Sequence, residues 1–286
     1  MRVRLSTLVF GRTYLEHFKR SVKSLTWPKN RKALEGAVWS VHTDLPEKVL
    51  GILEPLGFET EIHPAQPVNS HAAVGMLLLK TLVTDLEKCV GGDALLTAQP
   101  DTIFGEGTIK TLVEIGSEGM NAIAVSHPRV KVETFPVLTE PTSNARLVRL
   151  AFEHLHEGWQ ACNLKADENN CFMGGVGWRE IDQDLYAISV RIPTTYFVRP
   201  RGSDIDFLKT CKHGGWDHVW PAHLVEQQRH RLIGSSDAAF MVELTDLNRR
   251  GALTRSARID ELDAYKFNLD HHRTNRNSLV IWRAER

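Results

Sequence analysis

The stretch that decides the fold is GGDALLTAQPDTIFGEGTIKTLVEIGSEGMNAIAV, residues 91–125. It contains an apolar run over 93–98, a polar loop, a helical pattern and a second apolar run over 122–125. Short apolar runs between turn residues are typical of buried strands. The stretch therefore predicts a strand, a loop, a helix and a second strand, which together make one α/β unit.

A carboxylate follows the first strand of this unit. Pro100 cannot donate to a sheet ladder and biases Gln99 toward an extended conformation, so the strand should end there. Asp101 would then lie at the carboxyl-terminal edge with its carboxylate pointing out of the sheet, where ligands of open α/β sheets bind. An Asp after a strand is also a common turn or capping residue, and that alternative stays open.

Strands and helices alternate through the first 126 residues. Apolar runs at residues 4–10, 37–43 and 58–63 are each followed by a helical pattern or a loop leading to one. This alternation predicts an α/β fold with a mostly parallel sheet flanked by helices. From His127 the rhythm changes, so we expect one domain over residues 1–126 and a smaller mixed C-terminal part over 127–286, packed on the same sheet.

The C-terminal part contains two predicted strands. Residues 185–192 are a run of β-forming residues, and residues 194–200 form a second run. Pro193 and Pro200 bracket the second run. Because proline is confined to edge strands, strand starts or bulges, we expect residues 194–200 near a sheet edge.

Composition excludes several classes of protein. Lys plus Arg and Asp plus Glu both number 35, so the chain has no overall field that would attract nucleic acid or an anionic membrane. The sequence has no apolar run of the ~18 residues that a membrane span needs. Its 4 cysteines are widely spaced, which is typical of reduced thiols in a cytoplasmic protein.

Several histidines are candidate ligands. His213, His218 and His223 are five residues apart and would not share a helix face, so we interpret them as surface or aromatic-packed residues rather than a zinc site. His271 near the C-terminus could supply a metal ligand, and a polar loop fits its surroundings equally well. His71 opens a long apolar helix, whose N-terminus favours anions, although capping by Ser70 competes with that interpretation.

Several segments resemble glycosyltransferase-like proteins of the GT-A type, which have a GT-A/Rossmann-like fold. The likeness lies in the first strand and helix, the end of the second strand, the start of the apolar helix and the two ends of the α/β unit. These segments are residues 9–18, 41–44, 70–73, 99–107 and 119–125. In the second half only residues 235–244 continue the likeness, as a second acidic segment.

The resemblance implies a sugar-nucleotide donor held by the first strands of the sheet. Residues 1–126 would be the nucleotide-sugar-binding domain, in which Gly11, Thr43 and Asp44 line the nucleotide pocket and His71 meets a phosphate. Residues 127–286 would form the acceptor side.

The resemblance also implies a divalent cation, Mn²⁺ or Mg²⁺, on the donor diphosphate. An Asp-x-Asp motif holds it in this family, since a hard cation takes oxygen ligands. The matching residues here end in Asp101, the only acid of the three, and His271 is the second candidate ligand. Asp237 is the candidate base that would deprotonate an acceptor hydroxyl in an inverting displacement.

Two functions follow. The first is a glycosyltransferase that moves a sugar from a nucleotide-sugar donor to a hydroxyl of a glycan, protein or nucleic acid, assisted by a metal. The second is a non-catalytic GT-A-like module that binds a nucleotide, glycan, nucleic acid or protein partner. Gln99 in place of the first acid favours the module.

Overall fold

The computed structural model of the chain describes residues 1–66, 71–160, 163, 176–190, 194–212, 216–246 and 279–285. The strands are β1 (Val3–Val9), β2 (Val38–Thr43), β3 (Glu59–Pro64), β4 (Ala94–Thr97), β5 (Thr102–Phe104), β6 (Ala122–Ala124), β7 (Arg129–Lys131), β8 (Val176–Asp182), β9 (Leu185–Val190), β10 (Thr195–Val198), β11 (His230–Leu232), β12 (Met241–Thr245) and β13 (Leu279–Arg283). The helices are α1 (Gly11–Leu25), α2 (Pro28–Ala33), α3 (Pro46–Leu53), α4 (His71–Glu87), α5 (Thr108–Ser117), α6 (Asn144–Glu153), α7 (Glu157–Gln160), α8 (Gly202–Thr210) and α9 (Trp216–Glu226), with a 3-10 turn at Glu54–Leu56. In these ranges no helix is both long enough and apolar enough to cross a membrane.

A seven-stranded sheet forms the centre, in the order β11-β6-β10-β4-β1-β2-β3. β1 is parallel to β2 and β4, β2 to β3, and β6 to β11, whereas β10 is antiparallel to β4 and β6. Helices flank this sheet, which confirms the predicted α/β class. Strands on both sides of residue 126 share the sheet, while the domain boundary at that residue stays a prediction.

The position of β10 differs from the sequence-based expectation. β10 is the fourth of seven strands and pairs on both sides, so it does not lie near an edge. The strand covers only Thr195–Val198. Pro200 therefore lies beyond the ladder, where its missing N–H costs no sheet hydrogen bond. Pro200 therefore marks the end of this strand rather than a sheet edge, and Pro193 lies outside the described residues.

The central strands are buried along almost their whole length. All six residues of β2 and six of the seven residues of β1 are buried. Trp39 of β2 packs edge-on against Phe18 of α1 and against Phe58, with ring centroids 5.7 and 5.1 Å apart. Parallel strands covered on both faces are buried along their length in this way. This packing fixes the strand ends from which the candidate site is built.

Two three-stranded sheets complete the fold, in the orders β5-β12-β7 and β13-β9-β8. In the first, β12 runs antiparallel to β5 and parallel to β7. The sequence predicts an open loop after β4, but the chain continues there into β5, which β12 covers. The Leu244 N–H donates to the Asp101 carbonyl at 2.7 Å. A strand of the C-terminal part thus lies directly over the loop that carries Asp101.

An aromatic core holds the C-terminal part together. Phe152 of α6 stacks on Tyr186 of β9 with ring centroids 3.7 Å apart, and Trp159 stacks on Trp282 of β13 at 5.8 Å. The Trp178 indole N–H donates to the Trp159 carbonyl at 2.7 Å. Large rings supply most of the buried area of this core, and the indole N–H has a partner, as a buried polar group requires.

Candidate functional site

All strands of the central sheet except β10 run in one direction and end at the same edge, and four of them are β1, β2, β4 and β6. β4 and β6 are both antiparallel to β10, so β6 runs in the same direction as β1, β2 and β4. The segments that follow these strands begin at Phe10, Asp44, Ala98 and Val125. Because ligands of open α/β sheets bind beyond the carboxyl ends of the strands, the side chains of these segments form the candidate site.

Asp44 holds the start of α1. The Gly11 N–H donates to Asp44 Oδ1 at 3.0 Å, and Gly11 has a φ of +64°, which glycine adopts without strain. The Leu45 N–H donates to the hydroxyl of the fully buried Thr43 at 3.0 Å. The structure thus brings Gly11, Thr43 and Asp44 together. The side-chain oxygens of Thr43 and Asp44 accept hydrogen bonds from backbone N–H groups. Their part in a nucleotide pocket stays a prediction.

Asp101 is buried, with 9% of its surface exposed. Its carboxylate does not point out of the sheet as predicted from the sequence. Strand β12 covers it, since Glu243 pairs with Thr102 and the Leu244 N–H donates to the Asp101 carbonyl. Asp101 therefore faces the residues of β12 and β7 rather than an open edge.

Five side chains meet at this place and are called here the acid–arginine cluster: Asp101, His127, Arg129, Tyr196 and Glu243. Glu243 Oε1 lies 3.1 Å from Arg129 Nε, and Glu243 Oε2 lies 3.3 Å from His127 Nε2. The Tyr196 hydroxyl lies 3.2 Å from His127 Nδ1. The members come from the loop after β4, the segment after β6, and strands β7, β10 and β12.

Burial and nearby charges give the two carboxyl groups of the cluster different pKa values. The pKa of Asp101 is raised, first by burial and then by the nearby Glu243 charge. Burial would also raise the pKa of Glu243, but Arg129 and then His127 outweigh it and lower that pKa. Asp101 thus holds a proton more strongly than Glu243 does. Neighbouring acids with separated pKa values are typical of sites that handle protons.

The acid–arginine cluster does not fit the divalent cation that the resemblance implies. Mg²⁺ or Mn²⁺ needs ionised oxygen ligands, whereas Asp101 is buried, has a raised pKa and is the only acid of its motif. The Arg129 guanidinium already supplies a positive charge next to Glu243, at 3.1 Å. The role of Asp101 as a metal ligand therefore stays a prediction from the sequence, and no chemical step below depends on it.

A second group of side chains does have the composition of a metal site. His42 of β2, His63 of β3 and Asp85 of α4 place one nitrogen or oxygen atom each within 4.8 Å of one another. These three residues, called here the His–His–Asp triad, could hold a metal ion. Two imidazoles and one carboxylate suit Zn²⁺ and similar cations.

The structure does not bring Asp237 to Asp101. Asp237 precedes β12 by four residues, while β12 pairs Met241 with Phe104 and Glu243 with Thr102. Asp237 therefore lies beyond the opposite end of β12 from Asp101. Its side chain is 61% exposed and lies 4.0 Å from Arg283. Its role as a base stays a prediction.

Other sequence-based expectations fall on parts of the chain that are only partly described. His271, His213, Ser70 and two of the cysteines, Cys162 and Cys171, lie outside the described residues. His71 is the first residue of α4, as predicted for the helix start, and its side chain is not described. His223 stacks on Phe207 with ring centroids 3.9 Å apart, which agrees with an aromatic-packed histidine.

Sequence reasoning missed most members of both clusters. His127 follows the predicted strand 122–125 as Asp101 follows 93–98, so the strand-end signal was present for it. Arg129 and Glu243 become neighbours only through the pairing of β7 with β12. His42 and His63 sit at the ends of predicted strands and face each other in register, but nothing in the sequence marks that register.

Comparisons with known proteins do not assign the chain to a family. No protein-family model matches the chain, and no curated protein matches it. Among solved structures, a protein from Bacillus anthracis assigned as a glucose-1-phosphate thymidylyltransferase, in complex with a sucrose, aligns with a TM-score of 0.44 and 10% identity over 90% of this chain and 97% of that one. Residues 1–349 of S. aureus TarS align with a TM-score of 0.33 and 12% identity over 46% of this chain and 42% of that one.

Proposed function

We propose that the chain is a glycosyltransferase that uses a sugar-nucleotide donor, with the donor lying over the carboxyl-terminal edge of β1, β2 and β4. The observation that carries the proposal is the Arg129–Glu243 ion pair, 3.1 Å long, directly beside Asp101 at that edge. Residues 1–126 would hold the nucleotide, with Gly11, Thr43 and Asp44 at its pocket, and residues 127–286 would form the acceptor side.

Arg129 is the proposed partner of the donor diphosphate. Its Nε atom contacts Glu243, while 35% of its side chain remains exposed. Glu243 raises the pKa of Arg129, so the guanidinium stays charged. A guanidinium matches two phosphate oxygens at once, which makes it suited to a diphosphate. In this proposal Arg129 supplies the positive charge that a metal would otherwise give to the leaving group.

Asp101 is the proposed proton acceptor. During transfer a bond forms between the acceptor oxygen and the anomeric carbon, and the bond from that carbon to the diphosphate oxygen breaks. The electron pair leaves with the diphosphate, held by Arg129, and the acceptor's proton passes to Asp101. Only the ionised form of Asp101 can take up this proton, and because its pKa is raised to about 8, we expect transfer to become faster as pH rises toward that value. The acceptor hydroxyl must reach Asp101 past β12.

A panel of UDP-, GDP- and CDP-sugars tests the proposal, with thermal shift and donor hydrolysis measured with Mn²⁺ and with EDTA. We expect one donor to stabilise the protein in EDTA and to be hydrolysed slowly. Arg129→Met should lose both effects, whereas Arg149→Met, which removes an exposed arginine 3.8 Å from Glu153 on α6, should keep them. Stabilisation by no donor, or equal stabilisation of Arg129→Met, contradicts the proposal.

The role of Asp237 is tested in the same assay. Asp237→Asn should leave donor hydrolysis unchanged, since its exposed carboxylate lies beyond the far end of β12. Asp101→Asn should abolish transfer while donor binding persists. If only Asp237→Asn abolishes turnover, the assignment made from the sequence is right and that of Asp101 is wrong.

A non-catalytic binding module is the second candidate, because Asp101 is covered by β12 and Gln99 replaces the first acid of the motif. Such a module would bind a nucleotide, glycan, nucleic acid or protein at the same edge without transferring sugar. Donor-induced stabilisation that depends on Arg129, together with no hydrolysis and no transfer to any acceptor, would favour the module over the enzyme.

A further inference from the structure

The His–His–Asp triad is built from two strands of the central sheet and one helix. β2 and β3 are adjacent parallel strands in which His42 pairs in register with His63, and Asp85 comes from α4. The distance from His42 Nε2 to Asp85 Oδ2 is 3.2 Å. Two ligand atoms of a tetrahedral zinc site, each about 2.0–2.1 Å from the metal, are about 3.3 Å apart. This edge of the triad already has the spacing that a zinc ion requires.

Hydroxyl groups hold the carboxylate of the triad in place. Asp85 is fully buried, its Oδ2 accepts a hydrogen bond from Ser6 and its Oδ1 accepts one from Ser40, each at 2.6 Å. Both oxygens of the Asp85 carboxylate are therefore held in fixed positions. Supporting hydrogen bonds of this kind orient the ligands of known metal sites.

The hydrogen bond between His42 and Asp85 does not include His63, the third member of the triad. Its ring stacks on His42 with centroids 4.6 Å apart, and its Nε2 atom is buried without a hydrogen-bond partner. Glu61 Oε2 lies 3.5 Å from this nitrogen, but it is held by Arg4 at 2.9 Å and Lys88 at 2.6 Å. A buried imidazole nitrogen with no partner is costly unless something else binds it.

We propose that His42, His63 and Asp85 bind a transition-metal cation of the zinc class, which ties α4 to the ends of β2 and β3. Imidazole nitrogen selects Zn²⁺, Co²⁺ or Ni²⁺ over Mg²⁺ and Ca²⁺, which prefer oxygen ligands. The site has three protein ligands, and water completes the coordination. It is separate from the acid–arginine cluster and carries no step of the proposed sugar transfer.

Cobalt titration tests this site on the full chain. We expect metal-stripped protein to bind one Co²⁺ with the visible absorption of a tetrahedral ion, and Zn²⁺ to displace it and raise the Tm by a few degrees, because a ligand that binds only the folded state stabilises it. His63→Ala should weaken binding by more than ~100-fold, as loss of a ligand exceeds the ~10–100-fold cost of losing a supporting residue. Asp101→Asn should bind Co²⁺ like the wild type.

His154→Ala is the matched control, since His154 is a partly exposed histidine outside the triad whose Nδ1 lies 3.2 Å from the Thr134 hydroxyl. It should retain the cobalt spectrum and the zinc-induced rise in Tm. His63→Gln serves as a second variant if His63→Ala does not fold, and circular dichroism in EDTA checks folding. Absence of stoichiometric Co²⁺ binding, or an unchanged spectrum in folded His63→Ala or His63→Gln, overturns the proposal and leaves His42 and Asp85 as a hydrogen-bonded pair only.

Discussion

The acid–arginine cluster and the His–His–Asp triad solve the problem of buried charge in different ways. In the first, Glu243 meets a guanidinium at 3.1 Å and an imidazole at 3.3 Å, so a cation from the chain itself balances the carboxylate. In the second, the partners of Asp85 are two serine hydroxyls and His42. Buried carboxylates need a partner of opposite charge or several donors. A carboxylate that is balanced by an arginine does not need a metal ion as a counter-charge. Two imidazoles beside one carboxylate, in contrast, provide the ligand atoms of a metal site.

The largest effect should come from the triad. Asp85→Ala removes a fully buried carboxylate, leaves two serine hydroxyls without their acceptor and creates a small cavity. We expect a loss of about 3 kcal/mol in the free energy of unfolding, measured by urea denaturation in EDTA. A loss below about 1 kcal/mol would show that this carboxylate does not hold α4 to the sheet.

A smaller loss of stability should follow from breaking the ion pair. Arg129→Met leaves Glu243 near Asp101 without its guanidinium. Breaking a fully buried pair costs about 3–5 kcal/mol, and since Arg129 is 35% exposed we expect about 2 kcal/mol after allowing for solvent screening. Arg149→Met should cost less than about 0.5 kcal/mol in the same denaturation experiment. Equal losses in the two variants would mean that the cluster is not a coupled unit.

The pH dependence of stability should separate the two acids of the cluster. The pKa of Asp101 is raised in the folded state, so its contribution is complete below the ordinary carboxyl value and is lost as pH rises toward the folded-state pKa. The pKa of Glu243 is lowered, so its contribution is present above the ordinary value and is lost in acid.

Asp101→Asn should therefore flatten the fall in stability between pH 5 and 8 by on the order of 1 kcal/mol, measured as Tm against pH. The acid-induced loss due to Glu243 should remain in this variant. An unchanged slope between pH 5 and 8 would contradict the raised pKa of Asp101.

The smallest effect is expected from a residue that only orients a ligand. Ser40→Ala removes one of the two hydroxyls that hold Asp85, at 2.6 Å, and leaves all three proposed metal ligands in place. Co²⁺ affinity should fall about 10-fold with the spectrum retained. Complete loss of the spectrum would show that Ser40 does more than position Asp85, and no change in affinity would show that it does not position Asp85 for the metal.

The sequence predicted the α/β class because runs of β-forming residues alternate with helical patterns through the first 126 residues. It placed Asp101 correctly after β4. The prediction that the Asp101 carboxylate is exposed was wrong, since the pairing of β5 with β12 depends on contacts between distant parts of the chain. The prediction that Pro200 marks a sheet edge was wrong for a related reason. A proline shows only where a ladder hydrogen bond is impossible, and the four-residue β10 ends before Pro200.

The candidate site was less predictable than the fold. A strand-end rule finds Asp101 and applies equally to His127, yet Arg129 and Glu243 meet only because β7 pairs with β12. The triad likewise depends on the register of β2 against β3 and on which turn of α4 faces the sheet. Hydrophobic periodicity defines which face of an element is buried, but not which polar side chains meet across it.

The measurement that tests the central claim most directly is a calorimetric titration of the donor found in the sugar-nucleotide panel, in EDTA, against the wild type, Arg129→Met and Arg149→Met. Loss of a charge-assisted contact of about 1.5–3 kcal/mol predicts that Arg129→Met raises the dissociation constant of the donor at least about tenfold. Arg149→Met should leave that constant unchanged. Donor binding that requires Mn²⁺, or that is equally tight in Arg129→Met, would contradict the claim that this arginine holds the diphosphate.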